Sequence, residues 1–404
     1  MKNRKILIPV LTLSLTVIVL SIVYSLPDSR LTAYRKAMKL ENIEYSFINM
    51  SEYISFRTVS KSGRPYIFPK ITNITLPSDF TYNETTYNTM HYIDSSYTQG
   101  LIVLQNDTIT YENYWRDQKE NIPHIAWSMS KSYVSALVGI AVHEGYIKSI
   151  QQTVEEYLPE LKGSGYEGVK IKDVLQMSSG IKYDETYSDS NSDINQFWKN
   201  CMLGKPQLKL IKKLENHRPP GTFNEYASIN TDVLGLIIAR ATGRSISTYL
   251  QEKISEPIGT EFDAYWLTDG NGTELAHGGL NVCLRDLAKF GRLYLHKGNW
   301  NGQQLIPVDW VESSTHSNEE YLQPGSKNSS DPGFGYGYQW WLVDGNENEI
   351  MAIGVYNQHI YINPTTNTVI VKNSANRNYH HPDNPYAQSS VHLALYRKIA
   401  YAGK

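Results

Sequence analysis

Ser128 and Lys131 are the residues of this chain whose types and spacing best suit nucleophilic chemistry. They begin the stretch "WSMSKSYVSALVGIAVHEGYI", residues 127–147, where polar sequence gives way to a helical pattern with one apolar stripe. A serine hydroxyl needs a base within hydrogen-bond reach before it attacks a carbonyl. Positions i and i+3 share a helix face, so the Lys131 amine would lie one turn beyond the Ser128 hydroxyl. Burial there would lower the pKa of the amine, and the helix start would stabilise an oxyanion.

The same four-residue pattern also has a purely structural interpretation. Serine is a preferred helix N-cap, and short motifs recur by chance. A second match, Ser179–Lys182, lies where Gly180 and a polar run predict a helix end and a loop, so we interpret Ser179 as a turn serine. On this stretch alone, Ser128 is either a cap or a nucleophile.

Other catalytic patterns are missing from the sequence. It has no Gly-x-Ser-x-Gly elbow, no His-Glu-x-x-His helix and no phosphate-binding glycine loop, and its eleven histidines do not cluster. We therefore expect neither a metal nor another cofactor. An acidic loop is interpreted as solvated, with a site for a cationic substrate group as the alternative. Its members are Asp184, Glu185, Asp189 and Asp193.

The composition is that of an ordinary globular protein. Of the 404 residues, 41% are hydrophobic and 19% are charged, and the net charge of −2 leaves no basic excess to bind nucleic acid. Cys201 and Cys283 are too few for a disulfide framework or a zinc site. We interpret both as buried small residues, with one disulfide as the alternative. Nothing in the composition indicates an oligomeric state.

The N-terminus predicts a membrane segment. A short basic stretch, residues 1–5, precedes an uncharged apolar run at residues 6–26 that is long enough to cross a bilayer. No Ala-x-Ala site follows the run, so we expect an uncleaved anchor that holds the rest of the chain outside the cytoplasm. A cleaved signal, which would release a secreted protein, is the alternative.

Strand patterns lie on both sides of a long helical region. Alternating apolar runs at residues 100–115 predict a hairpin that turns at Asn106-Asp107. Residues 336–374 have strand composition and fold back at Asn363-Pro364. The helical predictions are residues 127–145, 150–260 (with loops), 281–298 and 388–401.

These elements predict an α/β fold of the α+β type. One antiparallel sheet is built from both ends of the chain and flanked by helices, and a helical subdomain is inserted between the strands. Residues 96–404 are expected to form this domain. Residues 27–95 are expected to be a linker and a segment that wraps around it.

Four segments, in order along the chain, resemble a known superfamily. "WSMSKSYVSALVGIAVHEG" is similar to the active-serine helix of the serine β-lactamase and penicillin-binding-protein superfamily. "PPGTFNEYASINTDVLGLIIARATG", residues 219–243, resembles the segment that carries its Tyr-x-Asn/Ser element. Residues 277–307 resemble a stretch of the class C-like esterase and amidase branch, and residues 351–364 lie where the family has its Lys-Thr-Gly strand. The pattern is most similar to 6-aminohexanoate-dimer hydrolases and related carboxylesterases, and the resemblance covers roughly residues 95–400.

The resemblance implies roles for individual residues. Ser128 would be the nucleophile, in addition to a helix cap, and Lys131 would share its proton. The phenol of Tyr226 would accept a proton from the serine and pass it to the leaving group, if Lys131 lowers its pKa. The backbone N–H groups of Ser128 and Val355 would hold the oxyanion. No cofactor is needed for this chemistry.

Three positions depart from the superfamily pattern. At the Lys-Thr-Gly site the sequence is Ala352-Ile353-Gly354, so the glycine is retained and the basic residue that meets a substrate carboxylate is absent. Asn357 replaces a glycine, and its side chain is expected to narrow or reshape the mouth of the site. Ser228 replaces the usual asparagine of the tyrosine element. We expect Ser228, Gly354 and Asn357 to contact the substrate.

The leading hypothesis from the sequence is a serine hydrolase for a small-molecule amide or ester. An acyl-enzyme on Ser128, with Lys131 and Tyr226 as general acid and base, would carry the reaction. One alternative is a binding or sensor domain of the penicillin-binding type that does not turn over. The other is a β-lactamase proper, which would need a cation supplied from elsewhere in the chain.

Overall fold

The computed structural model describes residues 29–71, 75–345, 347–381 and 383–402. The predicted membrane segment, residues 6–26, lies outside this part of the chain. Within the described residues, no helix is both long and apolar enough to cross a bilayer. The expectation of a membrane-spanning helix is therefore not met within the residues that the structure describes.

The described chain contains fifteen strands and thirteen α-helices. The strands are β1 Phe56–Val59, β2 Asp79–Tyr82, β3 Thr85–Asn88, β4 Thr98–Gln105, β5 Thr108–Tyr114, β6 His124–Ile125, β7 Ala264–Leu267, β8 Leu280–Val282, β9 Asn299–Trp300, β10 Gln303–Gln304, β11 Gly335–Tyr336, β12 Trp341–Leu342, β13 Ile350–Gly354, β14 Gln358–Asn363 and β15 Thr368–Ser374.

The helices are α1 at residues 29–37, α2 Ile43–Ser46, α3 Thr89–Ser95, α4 Ser130–His143, α5 Val154–Tyr157, α6 Ile171–Leu175, α7 Asp193–Met202, α8 Gln207–Ile211, α9 Ile229–Thr242, α10 Ile246–Leu250, α11 Leu284–Leu295, α12 Val308–Thr315 and α13 Ser389–Tyr401. Short 3-10 turns occupy Met50–Glu52, Trp127–Met129, Pro159–Leu161 and Glu320–Leu322, and a π-helical turn occupies Gln251–Ser255.

The main sheet joins the two ends of the domain, as predicted. Its seven antiparallel strands lie in the order β11-β12-β13-β14-β15-β4-β5, so that β15 pairs with β4. Along β4, Ile102 and Leu104 pack into the apolar cluster that contains α11, and Leu101 and Val103 into the cluster that contains α13. Because both faces of the sheet are covered, the run from 101 to 104 is apolar without alternation.

Both predicted turns of the main sheet are confirmed. Asn106 and Asp107 have φ angles of 50° and 60° and join β4 to β5, the left-handed conformation that a two-residue hairpin requires. The chain folds back after Asn363, and β14 pairs with β15. The strand prediction at residues 336–343 is only partly met. Gln339, at φ 62°, interrupts it and leaves the two-residue strands β11 and β12.

A second sheet and the inserted helices complete the domain. The four antiparallel strands lie in the order β1-β7-β8-β6, so residues 56–59 pair with residues 264–267. The helices α4 to α10 lie between β6 and β7 in the chain, as the predicted insertion does. Cys201 and Cys283 are free and buried, which confirms their interpretation as small core residues.

Helix α4 is buried on every side, from Ser130 to Ala141. The prediction of a single apolar stripe was therefore wrong, because a helix at the centre of a large core has no solvent-facing side. It packs against α9, α10 and α12. Its polar side chains are accommodated by hydrogen bonds, such as that from Ser132 Oγ to the Gln339 carbonyl at 2.7 Å. This buried helix is the rigid support of the candidate site.

Candidate active site

Ser128 does not cap a helix. It is the middle residue of the 3-10 turn Trp127–Met129, and α4 begins at Ser130 with Met129 in the N-cap position. The prediction of an N-cap was wrong because Trp127 takes up a left-handed backbone conformation, with φ 47°, which is unusual for a bulky residue. Ser128 then lies in the wall of a cavity.

The turn at Trp127 is held in place by its surroundings. The indole ring meets the rings of Phe47 and Trp198 edge-on, at centroid distances of 5.3 and 6.0 Å. The hydroxyl of Ser130 donates to the Trp127 carbonyl at 2.6 Å. Left-handed strain at a bulky residue persists only where packing fixes it, and such residues cluster at active sites. The packing therefore presents Ser128 in one conformation.

Lys131 is buried directly behind Ser128. Its amine, one helical turn along the chain, donates to Ser128 Oγ at 2.7 Å and to the His277 carbonyl at 2.8 Å. Burial lowers the pKa of Lys131 to about 8, although the carboxylates of Glu185 and Asp232 act in the opposite direction. The amine therefore gains and loses its proton close to neutral pH, as a general base does.

A buried hydrogen bond between two side chains fixes the carbonyl that Lys131 contacts. His277 Nδ1 lies 2.7 Å from Asp232 Oδ2, and the side chains of both residues are almost completely buried. Asp232 lies in the first turn of α9, where the positive end of the helix dipole favours a carboxylate. The pair ties the start of α9 to the segment that receives the Lys131 amine.

Tyr226 lies beside Ser128 and Lys131. Its ring stacks on Trp341 at 5.3 Å, and the Lys131 amine lies 5.1 Å from its centroid. Burial, followed by the charge of Glu185, raises the pKa of Tyr226, and the hydrogen bond with Ser128 offsets only part of that rise. The expected lowering of this pKa by Lys131 is not met, so the phenol is neutral around pH 7.

Glu185 connects to the tyrosine element through Ser228. Its carboxylate accepts hydrogen bonds from the Ser228 N–H at 2.9 Å, from the Ser228 hydroxyl and from the Tyr187 hydroxyl at 2.6 Å. Ser228 is fully buried and does not line the cavity, whereas Glu185 and Tyr187 do.

Val355 reaches the cavity because Gly354 has no side chain. A Cβ at Gly354 would lie 2.7 Å from the Ala126 carbonyl, too close for any other residue without a shift. Strand β13 therefore packs directly against the turn that carries Ser128. As a result Val355, at the end of that strand, and Ser128 line the same cavity.

Asn357 points away from the cavity. It has a left-handed φ of 67° and is completely buried. Its side-chain amide donates to the Ala387 carbonyl at 2.9 Å, and its oxygen accepts from Asn376 Nδ2 at 2.7 Å. Asparagine tolerates this conformation better than most residues, so it serves here in place of a glycine and anchors the turn between β13 and β14. The side chain does not narrow the mouth of the site as expected, because these bonds hold it inside the protein.

The cavity has a volume of about 650 Å³. It lies where the turn before α4, the segment before α9 and strand β13 meet, and aromatic rings form much of its wall. The lining residues are Ser128, Tyr183, Glu185, Tyr187, Glu225, Tyr226, Ser330, Asp331, Gly333, Phe334, Trp341, Ile353, Val355, Tyr379, Gln388, Ser389 and Ser390. Of the seven predicted site residues, Ser128, Tyr226 and Val355 line it and Lys131 lies behind it, while Ser228, Gly354 and Asn357 lie outside the lining.

The second Ser-x-x-Lys match does not form a site. Ser179 is buried and its hydroxyl accepts a 3.4 Å hydrogen bond from the Ile181 N–H, whereas Lys182 is exposed. The interpretation of Ser179 as a turn serine is confirmed. In the acidic loop Asp184 and Asp189 are exposed, as predicted, but Glu185 turns into the cavity.

Sequence reasoning missed the partners that surround Lys131. Glu185 was assigned to a solvated loop, and the pair of Asp232 and His277 was not recognised, because each contact joins segments far apart in the chain. The signal in the sequence that could have found this pair was Asp232 itself, a charged residue in the mostly apolar stretch 229–238 of α9. Within the described part of the chain no group of His, Cys, Asp and Glu side chains could hold a metal ion.

Comparisons with known proteins agree on one family. Residues 98–396 match the Beta-lactamase family. A 6-aminohexanoate-dimer hydrolase of Paenarthrobacter ureafaciens is 32% identical over 295 residues, which cover 70% of this chain and 74% of that protein. A candidate 6-aminohexanoate-dimer hydrolase from Bacillus anthracis is similar in structure, with a TM-score of 0.80 and 25% identity over 89% of this chain and 94% of that one.

A class C beta-lactamase shares the fold, with a TM-score of 0.55 and 17% identity over 78% of this chain and 94% of that one. These matches support the fold of helices and antiparallel sheet described above. The chain belongs to the Beta-lactamase family, in its serine β-lactamase and penicillin-binding-protein superfamily.

Proposed function

We propose that this protein is a serine hydrolase that cleaves an amide or ester bond of a small molecule through an acyl-enzyme on Ser128. The observation that carries the proposal is the 2.7 Å hydrogen bond between Lys131 and Ser128 at the wall of the cavity. A buried amine with a pKa of about 8 beside a serine hydroxyl is the arrangement that nucleophilic catalysis requires.

In the proposed acylation step, neutral Lys131 takes the proton of Ser128 as the serine oxygen bonds to the substrate carbonyl carbon. The negative charge on the carbonyl oxygen is held by the backbone N–H groups of Ser128 and Val355. The carbon then loses its leaving group, which takes a proton from the Tyr226 phenol. The Lys131 ammonium returns a proton to the tyrosine, so that the acyl-enzyme forms with both bases in their starting states.

Deacylation repeats these steps with water. A water molecule gives one proton to Lys131 and attacks the acyl carbon, and the oxyanion is held by the same two N–H groups. The bond to Ser128 then breaks, and the serine oxygen regains a proton from Tyr226, which Lys131 restores. Over both steps the reaction consumes one amide or ester and one water, and releases one acid and one amine or alcohol.

The lining of the cavity supports an amidase or esterase over a β-lactamase. Ala352-Ile353-Gly354 stands where a β-lactamase has its basic residue. Among the described residues that line the cavity there is no lysine, arginine or histidine, while Glu185, Glu225 and Asp331 are acidic. A substrate carboxylate would find no cation there. The fold alone is shared with the class C enzyme, so it carries no argument for that substrate.

The test is hydrolysis of 4-nitrophenyl acetate by the protein and by its Ser128→Ala variant. We expect release of 4-nitrophenol by the protein only, and an acetyl group on Ser128 when the intact mass is measured after rapid acid quench. Equal rates for both proteins would exclude Ser128 as the nucleophile. A stable acetyl adduct without turnover would instead favour a sensor domain.

A further inference from the structure

Glu185 is a carboxylate of the cavity wall that the reaction outlined above does not use. It belongs to the loop between α6 and α7, whereas the groups that it touches belong to other parts of the chain. Its carboxylate accepts three hydrogen bonds, from the N–H and the hydroxyl of Ser228 and from the hydroxyl of Tyr187. Three donors on one carboxylate fix its position.

Ser228 transmits this fixed position to Tyr226. It lies two residues after the tyrosine and immediately before α9, in the N-cap position. Ser228 also acts on the Tyr226 phenol: burial raises the pKa of that phenol, and Ser228 lowers it by a smaller amount. The carboxylate therefore orients Ser228, and Ser228 orients the phenol that lies next to Ser128. By the resemblance Ser228 stands in place of the superfamily's asparagine, and in this chain its hydrogen bonds go to Glu185.

We propose that Glu185 is a positioning residue of the reaction, which fixes Ser228 and with it the Tyr226 segment beside Ser128, and places its charge in the cavity wall near Lys131. The proposal rests on the proposed function, because both of its effects are exerted on the acid and base of that reaction. Glu185 does not itself exchange a proton with the substrate.

The charges around Lys131 make its protonation sensitive to Glu185. From α9 the amine faces Asp232, from the preceding segment Tyr226, and from the 277 segment a carbonyl. Burial favours the neutral amine, while Glu185 is the larger and Asp232 the smaller of the two carboxylates that favour the ammonium. Loss of the Glu185 charge therefore lowers the pKa of Lys131 further.

The groups that face Glu185 are otherwise neutral. Tyr183 and Tyr187 lie on its own loop, Tyr226 lies before α9, and Tyr336 lies in β11. The charge of Glu185 contributes to a raised pKa for each of these tyrosines. These tyrosines stay neutral near pH 7 with or without the charge of Glu185. Lys131, in contrast, has a pKa near neutral pH, so its protonation responds to that charge.

The experiment is a comparison of pH–rate profiles for the whole protein and its Glu185→Gln variant with 4-nitrophenyl acetate. Without the charge, the midpoint of the rising limb of kcat/KM should move about one unit to lower pH, the scale of a neighbouring charge. The kcat at the plateau should fall roughly tenfold, because the glutamine amide cannot accept all three hydrogen bonds. An unmoved midpoint would overturn the proposal, whatever the loss of kcat.

Two further variants separate charge from geometry. Ser228→Ala breaks the link to Tyr226 and keeps the carboxylate, so kcat should fall while the midpoint stays in place. Asp331→Asn removes another carboxylate of the same cavity, one at its exposed rim, and should leave the midpoint unchanged. A shift in Asp331→Asn equal to that in Glu185→Gln would mean that the total charge of the cavity is responsible, and would overturn the assignment to Glu185.

The outcome is separable from that of the proposed function. If Ser128→Ala retains full activity, the hydrolase mechanism fails, and the midpoint belongs to another group. If Ser128→Ala is inactive and Glu185→Gln has the wild-type midpoint, the positioning role alone fails. Should Glu185→Gln not fold, Glu185→Asp retains the charge and should keep the wild-type midpoint with a lower kcat. A displaced midpoint in that variant would also contradict the proposal.

Discussion

The candidate site contains two proton carriers whose pKa values are displaced in opposite directions. Burial disfavours the charged form of both groups, which is the ammonium of Lys131 and the phenolate of Tyr226. The pKa of Lys131 is therefore lowered to about 8, while the pKa of Tyr226 rises above its usual 10. At the scale of single residues, this separation supports the proposed roles of Lys131 as the base and Tyr226 as the acid.

The first prediction concerns the pH dependence of kcat/KM. Lys131 accepts the proton of Ser128 only as a neutral amine, so the rate should increase about tenfold per pH unit at low pH and level off above a midpoint near 8. The measurement is 4-nitrophenyl acetate hydrolysis from pH 6 to 9.5, with the rate of Ser128→Ala subtracted at each pH. A rate that is independent of pH across this range would contradict the assignment.

The second prediction concerns the acid. Tyr226→Phe should lower kcat by roughly two to four orders of magnitude, the usual effect of an acid–base group, while the ring retains its stacking on Trp341. The unfolding temperature should therefore stay near that of the wild type. Tyr379→Phe, which alters another tyrosine of the cavity wall, is the matched control and should keep near-normal turnover. Equal activity of the two variants would remove Tyr226 from the mechanism.

At the scale of elements, the site depends on the contact between a strand and a turn. β13 approaches the turn before α4 so closely that Gly354 meets the Ala126 carbonyl. The backbone N–H groups proposed to hold the oxyanion belong to Val355 and Ser128, which lie on either side of this contact. Their separation is therefore set by packing between two segments rather than by either segment alone.

The third prediction tests this contact. Gly354→Ala should separate the strand from the turn, lower kcat/KM by at least tenfold, and destabilise the protein by about 1 to 3 kcal/mol, as overpacked sites do. The measurements are kinetics and urea unfolding. Gly63→Ala is the control, because a Cβ there would have its nearest neighbour at 3.8 Å, and it should behave as the wild type. Normal kinetics in Gly354→Ala would show that the contact does not set the site geometry.

Local sequence patterns predicted elements better than they predicted contacts. The hairpin at Asn106-Asp107 and the helices of the insertion followed from turn chemistry and periodicity. The N-cap at Ser128 did not follow, because the left-handed Trp127 is imposed by rings of Phe47 and Trp198 from distant segments. The prediction that the Asn357 side chain narrows the mouth of the site was wrong for a related reason. Its hydrogen-bond partners lie about 20 and 30 residues further along the chain.

At the scale of the whole molecule, the acidic side chains that line the cavity come from several parts of the chain. Glu185 comes from the insertion, and Asp331 lies in the loop before the C-terminal strands. Glu225 forms an ion pair with Arg218 at 3.1 Å and a hydrogen bond with His217 at 2.8 Å. The ionisable carboxylates in the described lining of the cavity therefore come from distant segments, and we infer a negative potential there that no single motif of the sequence indicated.

The fourth prediction concerns substrate charge. The 4-nitrophenyl ester of adipate, a monoanion, should be hydrolysed roughly tenfold less efficiently than that of monomethyl adipate, because like charges in a partly desolvated cavity repel each other by about 1 to 4 kcal/mol. The two substrates share their length and leaving group. Added salt should reduce the difference in kcat/KM. A preference for the anion would contradict the inferred potential.

The pairing of β4 with β15 has a consequence for the synthesis of the protein. Strand β4 leaves the ribosome about 260 residues before β15. At about 5 to 20 residues per second, the synthesis of the residues between them takes roughly 10 to 50 s. Throughout that time β4 presents an unpaired apolar edge. We therefore expect the chain to need protection from aggregation while it is being made, and a cell with little free chaperone should yield it largely in inclusion bodies.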